Sequence, residues 1–281
     1  MLSLTVIAAV LFAALLHAAW NALLRFQGDR LTTMAMLTAA SGLFALPWAL
    51  WLGPPAASAW PWLAGSVVMH LGYNAYLASA YEHGELGRIY PLARGCAPLL
   101  TLAGAHAFVG ETVAGWEASG IVVLALGIVL LAFEGGWQSL RRSPRGAAYA
   151  LITSVFIAGY TLLDGQGARI AGDPHAYVAW LFVLDGIPLF GYVLWRRPAG
   201  AISLLTANWR PCCLGGLASL AAYWIAVWAM TVAPIATVAA LRESSVLFAV
   251  LLGVLFLGES LTWLRTLSVL TVLAGLLVLR L

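Results

Sequence analysis

The chain of 281 residues is 63% hydrophobic and only 9% charged, a composition far from that of soluble globular domains. Its net charge of +3 comes from arginine alone, without lysine, and does not indicate nucleic-acid binding. Apolar runs of about 20 residues are typical of transmembrane helices, because that length crosses about 30 Å of hydrocarbon. The composition therefore excludes a soluble enzyme or binding domain and predicts a helical membrane protein.

Ten apolar segments predict ten membrane-spanning helices. In chain order they are Leu4–Leu24, Leu31–Leu52, Trp62–Tyr81, Leu86–Phe108, Trp116–Phe133, Gly146–Leu163, His175–Trp195, Pro211–Val232, Ile235–Leu257 and Trp263–Leu279. Tryptophans near the segment ends are typical of the aromatic belts at membrane interfaces. The loops are short, so we predict an all-α membrane protein without a soluble domain.

The ten predicted spans form two copies of one five-span unit. Arg94 precedes Arg242 by 148 residues, and the dipeptides that begin at Gly110 and Gly258, both Gly-Glu, are 148 residues apart as well. Because five is an odd number, the second copy must cross the membrane in the opposite direction. We therefore predict two inverted repeats, residues 1–140 and 141–281, with a site near the membrane midplane between them.

The Gly-Glu dipeptides that close the fourth and ninth spans resemble the EamA-like branch of the drug/metabolite transporter superfamily. The resemblance implies secondary transport of a small metabolite by alternating access, with no ATP site and no cofactor. The segment His17-Ala18-Ala19-Trp20-Asn21 is similar to a subgroup associated with phosphonate utilisation. The expected partners are a small-molecule substrate and the lipid bilayer of a bacterial inner membrane, and one such unit could work as a monomer.

Loop arginines predict the orientation of the chain. The side that holds both termini carries Arg169 and Arg280. The opposite side carries ten arginines: Arg25, Arg30, Arg88, Arg141, Arg142, Arg145, Arg196, Arg197, Arg210 and Arg265. Because cytoplasmic loops are enriched in basic residues, both termini are predicted to lie outside the cytoplasm. Many relatives in the resembling family are thought to have the reverse orientation.

Two arginines lie inside apolar spans. Arg94 is eight residues past Leu86, and Arg242 is seven past Ile235, which places both near the midplane. An arginine there costs roughly 2.5–3.5 kcal/mol and usually faces a cavity, a partner or a ligand. Two converging guanidinium groups could bind a phosphate, phosphonate or carboxylate. Alternatively, they form internal salt bridges with one of three acids: Glu82, Glu243 or Asp185.

Two acids lie near these arginines. Asp185 is ten residues into the seventh span and precedes Gly186 and Pro188, which permit a broken helix beside a site. Its carboxylate could carry a coupling proton, or it could neutralise one arginine permanently. Glu243 follows the second arginine directly and points about 100° away from it on a helix. It could bind a substrate ammonium group, or it could pair with Arg94.

Polar faces on several spans complete the predicted substrate site. The side chains concerned are His17, Asn21, Tyr73, Asn74 and Tyr160. Asp164, one helical turn after the last of these, shares its face. Each side chain could instead form interhelical hydrogen bonds that hold the bundle together. The predicted site thus combines both arginines, both acids and these five side chains.

Two other functions compete with this prediction. An exporter of cationic or lipophilic drugs, like the small multidrug-resistance pumps, would need an acid in the first span, where this chain has His17. An intramembrane enzyme would need a nucleophile with a base, or a metal-ligand cluster. The histidines are scattered and match no such motif. We therefore predict a non-enzymatic transporter of a phosphonate, phosphate ester or amino acid, coupled to protons or a counter-substrate, with no metal.

Overall fold

The computed structural model describes residues 2–24, 30–84, 86–134, 143–196, 199 and 209–280, and this part of the chain is helical without strands. A 3-10 turn at Ala57–Ala59 precedes α3, and a π-helical turn at Ala105–Val109 extends α4. The helices are α1 (Leu4–Leu24), α2 (Arg30–Leu52), α3 (Trp60–His83), α4 (Leu86–Gly104), α5 (Gly115–Leu131), α6 (Pro144–Ile170), α7 (Pro174–Arg196), α8 (Trp209–Val232), α9 (Ile235–Arg242), α10 (Ser245–Leu257) and α11 (Trp263–Arg280).

Within the described ranges, eight segments are long and apolar enough to cross a membrane, with α9 and α10 counted as one. Helix α5 is apolar but has only 17 residues, and α3 is not among the eight. Helix α3 contributes the buried polar residues Ser66 and Asn74 to the bundle, which lowers its hydropathy. The prediction of an all-helical membrane protein is confirmed, whereas the count of ten spans stays a prediction.

Large apolar side chains cover the outside of the bundle, and small residues fill much of its inside. Phe108, Phe256 and Trp263 are among the most exposed side chains, as expected for a surface in contact with lipid. Buried positions hold many alanines, together with serines and threonines. Small residues let helix backbones approach closely, which is how membrane helices associate without a hydrophobic driving force between them.

The helices pair across the two halves of the chain. Helix α1 packs against α8, and α3 packs against α6. Helix α2 packs against α7, and α5 packs against α11. Helix α4 contacts α5, α6 and α9, while α9 and α10 contact α1. Every large interface of α1, α2 and α3 is thus formed with a helix of the other half, so the two halves form one intertwined bundle.

Reciprocal glycine contacts join α5 to α11. A Cβ atom at Gly127 would lie 2.8 Å from the backbone nitrogen of Val272, and one at Gly275 would lie 2.6 Å from that of Leu124. Gly275 lies 148 positions after Gly127, and Leu124 lies 148 positions before Val272. The second contact therefore joins the residues that correspond to those of the first. A two-fold axis between equivalent segments generates pairs of contacts of this kind.

A second reciprocal pair joins α2 to α7. A Cβ atom at Gly42 would lie 2.8 Å from the carbonyl oxygen of Phe182, and one at Gly186 would lie 3.0 Å from that of Thr38. Here Gly186 lies 144 positions after Gly42, and Thr38 lies 144 positions before Phe182. Any larger residue at these glycines would force the two helices apart.

The two Gly-Glu dipeptides end helices in the same way. Gly110 and Gly258 have φ angles of 75° and 66°, in the left-handed region that favours glycine. The amide of the following glutamate donates to the carbonyl six residues back, that of Ala105 or Gly253, at 3.0 and 3.1 Å. The glycine is therefore required by the helix C-terminus in both copies.

The ninth predicted span is present as one apolar segment, Ile235–Phe256, but a turn at Glu243 and Ser244 divides it into α9 and α10. Glu243 and Ser244 donate their amides to carbonyls three residues back, at 3.0 and 3.1 Å. This tightens the chain into a 3-10 turn, a feature that often marks functional positions inside helices. The turn directs Glu243 towards α4, where its ion-pair partner lies.

The predicted broken helix at Asp185 is not found. Helix α7 runs continuously from Pro174 to Arg196 and includes Pro188. Gly186 instead serves the close contact with α2, which explains a glycine at this position without a break. Helix α6 also extends to Ile170, beyond the predicted end of the sixth span.

Candidate functional site

Arg94 on α4 forms a two-contact ion pair with Glu243 in the turn between α9 and α10. Its Nε donates to Oε2 at 2.8 Å, and its Nη2 lies 2.8 Å from Oε1. The two side chains are only 3% and 6% exposed, so water does not screen the pair. The Arg94 guanidinium also lies 5.9 Å from the ring centre of Tyr90, one helical turn earlier. Of the two predicted roles of Glu243, the structure shows the pairing with Arg94.

Arg242, at the end of α9, is buried in a different environment. The residue is 9% exposed, and its guanidinium carbon lies 4.8 Å from the ring centre of Tyr223 on α8. No acid in the described part of the chain forms an ion pair with it. A cation over an aromatic face gains about 0.5–2 kcal/mol, which offsets only part of the cost of burying the charge. Arg242 therefore presents a buried positive charge without a counter-charge.

The difference between the two arginines follows from the residue after each one. Arg94 is followed by Gly95, whereas Arg242 is followed by Glu243. A Cβ atom at Gly95 would lie 2.6 Å from Cγ2 and 3.0 Å from the backbone nitrogen of Val129 on α5. A carboxylate therefore cannot occupy this position in the first copy without moving α5. Glu243 pairs with Arg94 alone, so one of the two arginine charges has no ion-pair partner in the described structure.

A carboxylate bound by two tyrosines lies on the other side of Tyr223. Asp164 on α6 is fully buried. It accepts hydrogen bonds from the hydroxyl of Tyr177 at 3.0 Å and from that of Tyr223 at 2.5 Å. Tyr223 thus contacts Asp164 through its hydroxyl and Arg242 through its ring.

Aromatic side chains surround these charges. The rings of His70 and Tyr160 stack with their centres 4.1 Å apart, and Tyr73 meets Tyr160 edge-on at 5.9 Å. On the first helix, Nε2 of His17 lies 3.5 Å from the hydroxyl of Tyr90. Three predicted residues, His17, Tyr73 and Tyr160, therefore lie in one cluster around the arginines.

The other predicted side chains have weaker links to the cluster. Asp185 is 8% exposed, its Oδ1 has no hydrogen-bond partner within the described residues, and it pairs with neither arginine there. The side-chain amide of Asn21 donates to the backbone carbonyl of His17 on its own helix at 2.9 Å. Asn74 is buried, at 4% exposure, within α3. These contacts do not decide whether the three side chains meet a substrate.

Sequence reasoning missed Tyr90 and Tyr177 and gave Tyr223 no particular role. A signal for Tyr90 exists, since it precedes Arg94 by four residues and so shares its helix face. Tyr177 and Tyr223 come from two other helices, and only the packing of α6, α7 and α8 shows that they meet Asp164.

The glutamates of the Gly-Glu dipeptides lie at helix ends, outside this cluster. Glu111 pairs with Arg169 at 2.6 Å and accepts from the amide of Ile235, the first residue of α9, at 2.9 Å. Glu259 pairs with Arg265 at 2.9 Å. Both interactions cap or join helix ends.

Metal ligands do not cluster in the described ranges, where no group of three histidine, cysteine or acidic side chains could hold an ion. The chemistry available at the site is therefore that of fixed charges, tyrosine hydroxyls and aromatic faces. Such groups bind and orient a small polar molecule.

Comparisons with known proteins show what the chain is similar to. Residues 144–281 match the model of the EamA-like transporter family. The "Uncharacterized transporter YwfM" of Bacillus subtilis (strain 168) is 28% identical over 222 residues, which cover 78% of this chain and 73% of that protein. A crystal structure described only as that of a protein has a TM-score of 0.73 over 98% of this chain and 94% of its own, at 16% identity, and so shares the fold. The second half of the chain is therefore similar to the EamA-like transporters, and its long apolar helices show an integral, multi-pass membrane protein.

Proposed function

We propose that this protein is a secondary transporter that carries a small anionic or zwitterionic metabolite by alternating access. The substrate class is a phosphonate, a phosphate ester or an amino acid. The single observation that carries the proposal is Arg242, a buried arginine on a tyrosine ring without an acid paired to it in the described chain. A phosphonate or carboxylate would supply the missing negative charge and accept two hydrogen bonds from the guanidinium group.

The helix break next to Arg242 supports a substrate site at this position. In many transporters the binding site is formed by discontinuous helices, whose positive N-termini point at anionic substrate groups. Helix α10 begins at Ser245, three residues after Arg242. Its N-terminus adds to the positive potential around the arginine.

The reciprocal glycine contacts support alternating access between two inverted repeats, 1–140 and 141–281. They are the contacts expected of segments related by an axis in the membrane plane, and equivalent helices could then exchange environments as one half rocks against the other. Arg94 and Arg242 are equivalent positions in this scheme. A conformation open to the other side would be generated by exchanging the contacts of the two halves.

The proposal includes a bacterial inner membrane with both termini outside the cytoplasm. The bias of the loop arginines supports it, although Arg25, Arg141, Arg142 and Arg197 lie outside the described residues. Reporter domains fused to each terminus test the orientation. A reporter that is active only outside the cytoplasm should work at both ends, and activity at neither end would reverse the proposed topology.

Export of cationic or lipophilic compounds is the second candidate function. Buried carboxylates favour it, because Asp185 has an oxygen without a hydrogen-bond partner in the described structure and Asp164 lies among aromatic rings. An organic cation could use these acids and the tyrosine faces. It would, however, have to bind close to the unpaired charge of Arg242, which repels it.

Transport by purified protein in liposomes distinguishes these functions. Radiolabelled methylphosphonate, glycerol 3-phosphate and alanine represent the proposed class, and ethidium represents the organic cations. We expect Arg242→Gln to abolish transport of the first class. Arg210→Gln is the matched control, because Arg210 also lies against an aromatic ring, that of Trp209, but is exposed at the start of α8. Transport of ethidium alone, unaffected by Arg242→Gln, would overturn the proposal.

A further inference from the structure

Asp164 is a buried acid for which the anion site gives no role. Its carboxylate is fully buried in α6, and no arginine of the described residues forms an ion pair with it. Two tyrosine hydroxyls, from α7 and α8, donate to its two oxygens. These hydrogen bonds satisfy the oxygens but supply no positive charge.

The side chains around Asp164 are polar, and no arginine of the described residues contacts its carboxylate directly. The groups that face it or share its environment are Ser66 and His70 from α3, Tyr160 on α6, Tyr177 and Asp185 from α7, and Tyr223 from α8. Burying an ionised carboxylate without a cation is costly, and binding a proton removes that cost. The position can therefore exchange a proton with little rearrangement, because a neutral acid still accepts hydrogen bonds.

Tyr223 connects this acid to the proposed anion site. Its hydroxyl donates to Oδ2 of Asp164 at 2.5 Å, and its ring lies 4.8 Å from the guanidinium carbon of Arg242. A change in the charge of Asp164 alters the hydrogen bond that holds the ring. A ligand that draws Arg242 away from this ring also changes the position of Tyr223, and with it the hydrogen bond to Asp164.

We propose that Asp164 is the proton-binding group of the transporter and that Tyr223 links it to Arg242. The inference rests on the proposed function and names its coupling ion. Asp185, the acid that the sequence singled out for this role, has no comparable contact with Arg242 in the described structure. An anion bound at Arg242 adds a negative charge near Asp164 and so favours its neutral form. By linkage, the proton then favours binding of the anion to the same degree, which makes proton and anion co-substrates of one cycle.

Infrared difference spectroscopy during a change of pH tests the proton site without any substrate. A protonated carboxylic acid in an apolar environment has a C=O stretching band, which disappears on ionisation. We expect such a band in the wild-type protein, its loss in Asp164→Asn, and its retention in Asp185→Asn. A band that survives in Asp164→Asn, or that Asp185→Asn removes instead, would overturn the assignment.

Methylphosphonate tests the link. Its addition should let the band of the wild-type protein persist to higher pH. The shift should correspond to at least about a fivefold lower proton concentration, since couplings between two ligands are typically fivefold or larger. Arg242→Gln should keep the band and lose this displacement. If methylphosphonate binds but does not shift the band of the wild-type protein, the link is overturned. If methylphosphonate does not bind, the proposed function is contradicted, and the band measured without substrate still decides the proton site.

Tyr223→Phe serves where Asp164→Asn does not fold. It keeps the ring beside Arg242 and removes only the hydroxyl bound to Asp164. We expect a band at a different frequency and a smaller displacement by methylphosphonate. A purely structural role of Asp164 would lower stability in this variant and leave both spectroscopic readouts unchanged.

Discussion

Arg94 and Arg242 hold the same position in the two predicted repeats, yet their surroundings in the folded protein differ. Arg94 lies in α4, which continues past it, and two nitrogens of its guanidinium group, Nε and Nη2, contact Glu243. Arg242 ends α9 at a helix break and rests on the ring of Tyr223. One arginine is neutralised inside the protein, and the other keeps its charge.

This difference teaches that two arginines in similar sequence surroundings can be buried in different ways, one in an ion pair and one on an aromatic ring. The acid that neutralises the first arginine comes from the second copy, at the position that Gly95 occupies in the first. Gly95 packs directly on the backbone of α5, so an acidic side chain at position 95 that could pair with Arg242 would not fit. The asymmetry is therefore built into helix packing and does not depend on the ion pair alone.

The largest expected effect concerns the neutralised arginine. Glu243→Gln removes its counter-charge and should lower the free energy of unfolding by about 3–5 kcal/mol, since a buried charge is left alone. Denaturant unfolding in detergent measures this. Glu134→Gln is the control, because its partner Arg265 is partly exposed and such pairs contribute only about 0–1 kcal/mol. Equal effects of both changes would show that Glu243 does not neutralise Arg94.

The next effect concerns the free arginine. Arg242→Lys keeps the charge but loses the planar fork that binds two oxygens at once. A lost hydrogen bond to a charged group is worth about 1.5–3 kcal/mol, so we expect the affinity for methylphosphonate to fall about tenfold or more. Calorimetric titration measures the affinity. Stability should change little, and an unchanged affinity would contradict the two-bond contact.

The stability of a Gly95→Ala variant tests whether helix packing excludes an acidic side chain at this position. Gly95→Ala should cost about 1–3 kcal/mol of stability, because the added methyl group overlaps Val129. Gly191→Ala on α7 is the matched control, since no atom lies within 4 Å of its added Cβ. Alanine there should stabilise the helix by about 0.5–1 kcal/mol. Similar results for both variants would remove packing as the cause of the asymmetry.

The smallest effect concerns Ser244 in the helix break. Its hydroxyl is buried without a hydrogen-bond partner in the described structure, so Ser244→Ala should leave stability unchanged or raise it by up to about 1 kcal/mol. Ser41→Ala should instead be destabilising, because its hydroxyl donates to the carbonyl of Gly216 at 2.9 Å. Thermal unfolding compares the two. A marked loss of stability in Ser244→Ala would show that the hydroxyl already has a partner.

The sequence predicts the parts of this structure that depend on hydropathy and repeat spacing. Apolar runs indicate the helices, and the shared spacing predicts that Arg94 and Arg242 correspond. The Gly-Glu dipeptides mark the ends of two apolar runs, and the structure ends a helix at each of them. All of these signals are local or periodic, so they can be recognised without the fold.

Other features depend on contacts between distant segments. The break at Glu243 arises where its carboxylate meets Arg94, 149 positions away in the chain. In the sequence, Gly186 and Pro188 permit a break that helix α7 does not have, whereas the predicted ninth span gives no sign of the turn at Glu243. The bonds of Asp164 to Tyr177 and Tyr223 require three helices to meet, and no spacing in the sequence indicates that meeting.

Thermal unfolding of the purified protein with and without methylphosphonate tests the central claim most directly. If Arg242 is the free charge that binds an anion, methylphosphonate should raise the unfolding temperature of the wild-type protein and of Arg210→Gln, but not of Arg242→Gln. Equal protection of Arg242→Gln, or protection of the wild-type protein by ethidium alone, would contradict the claim.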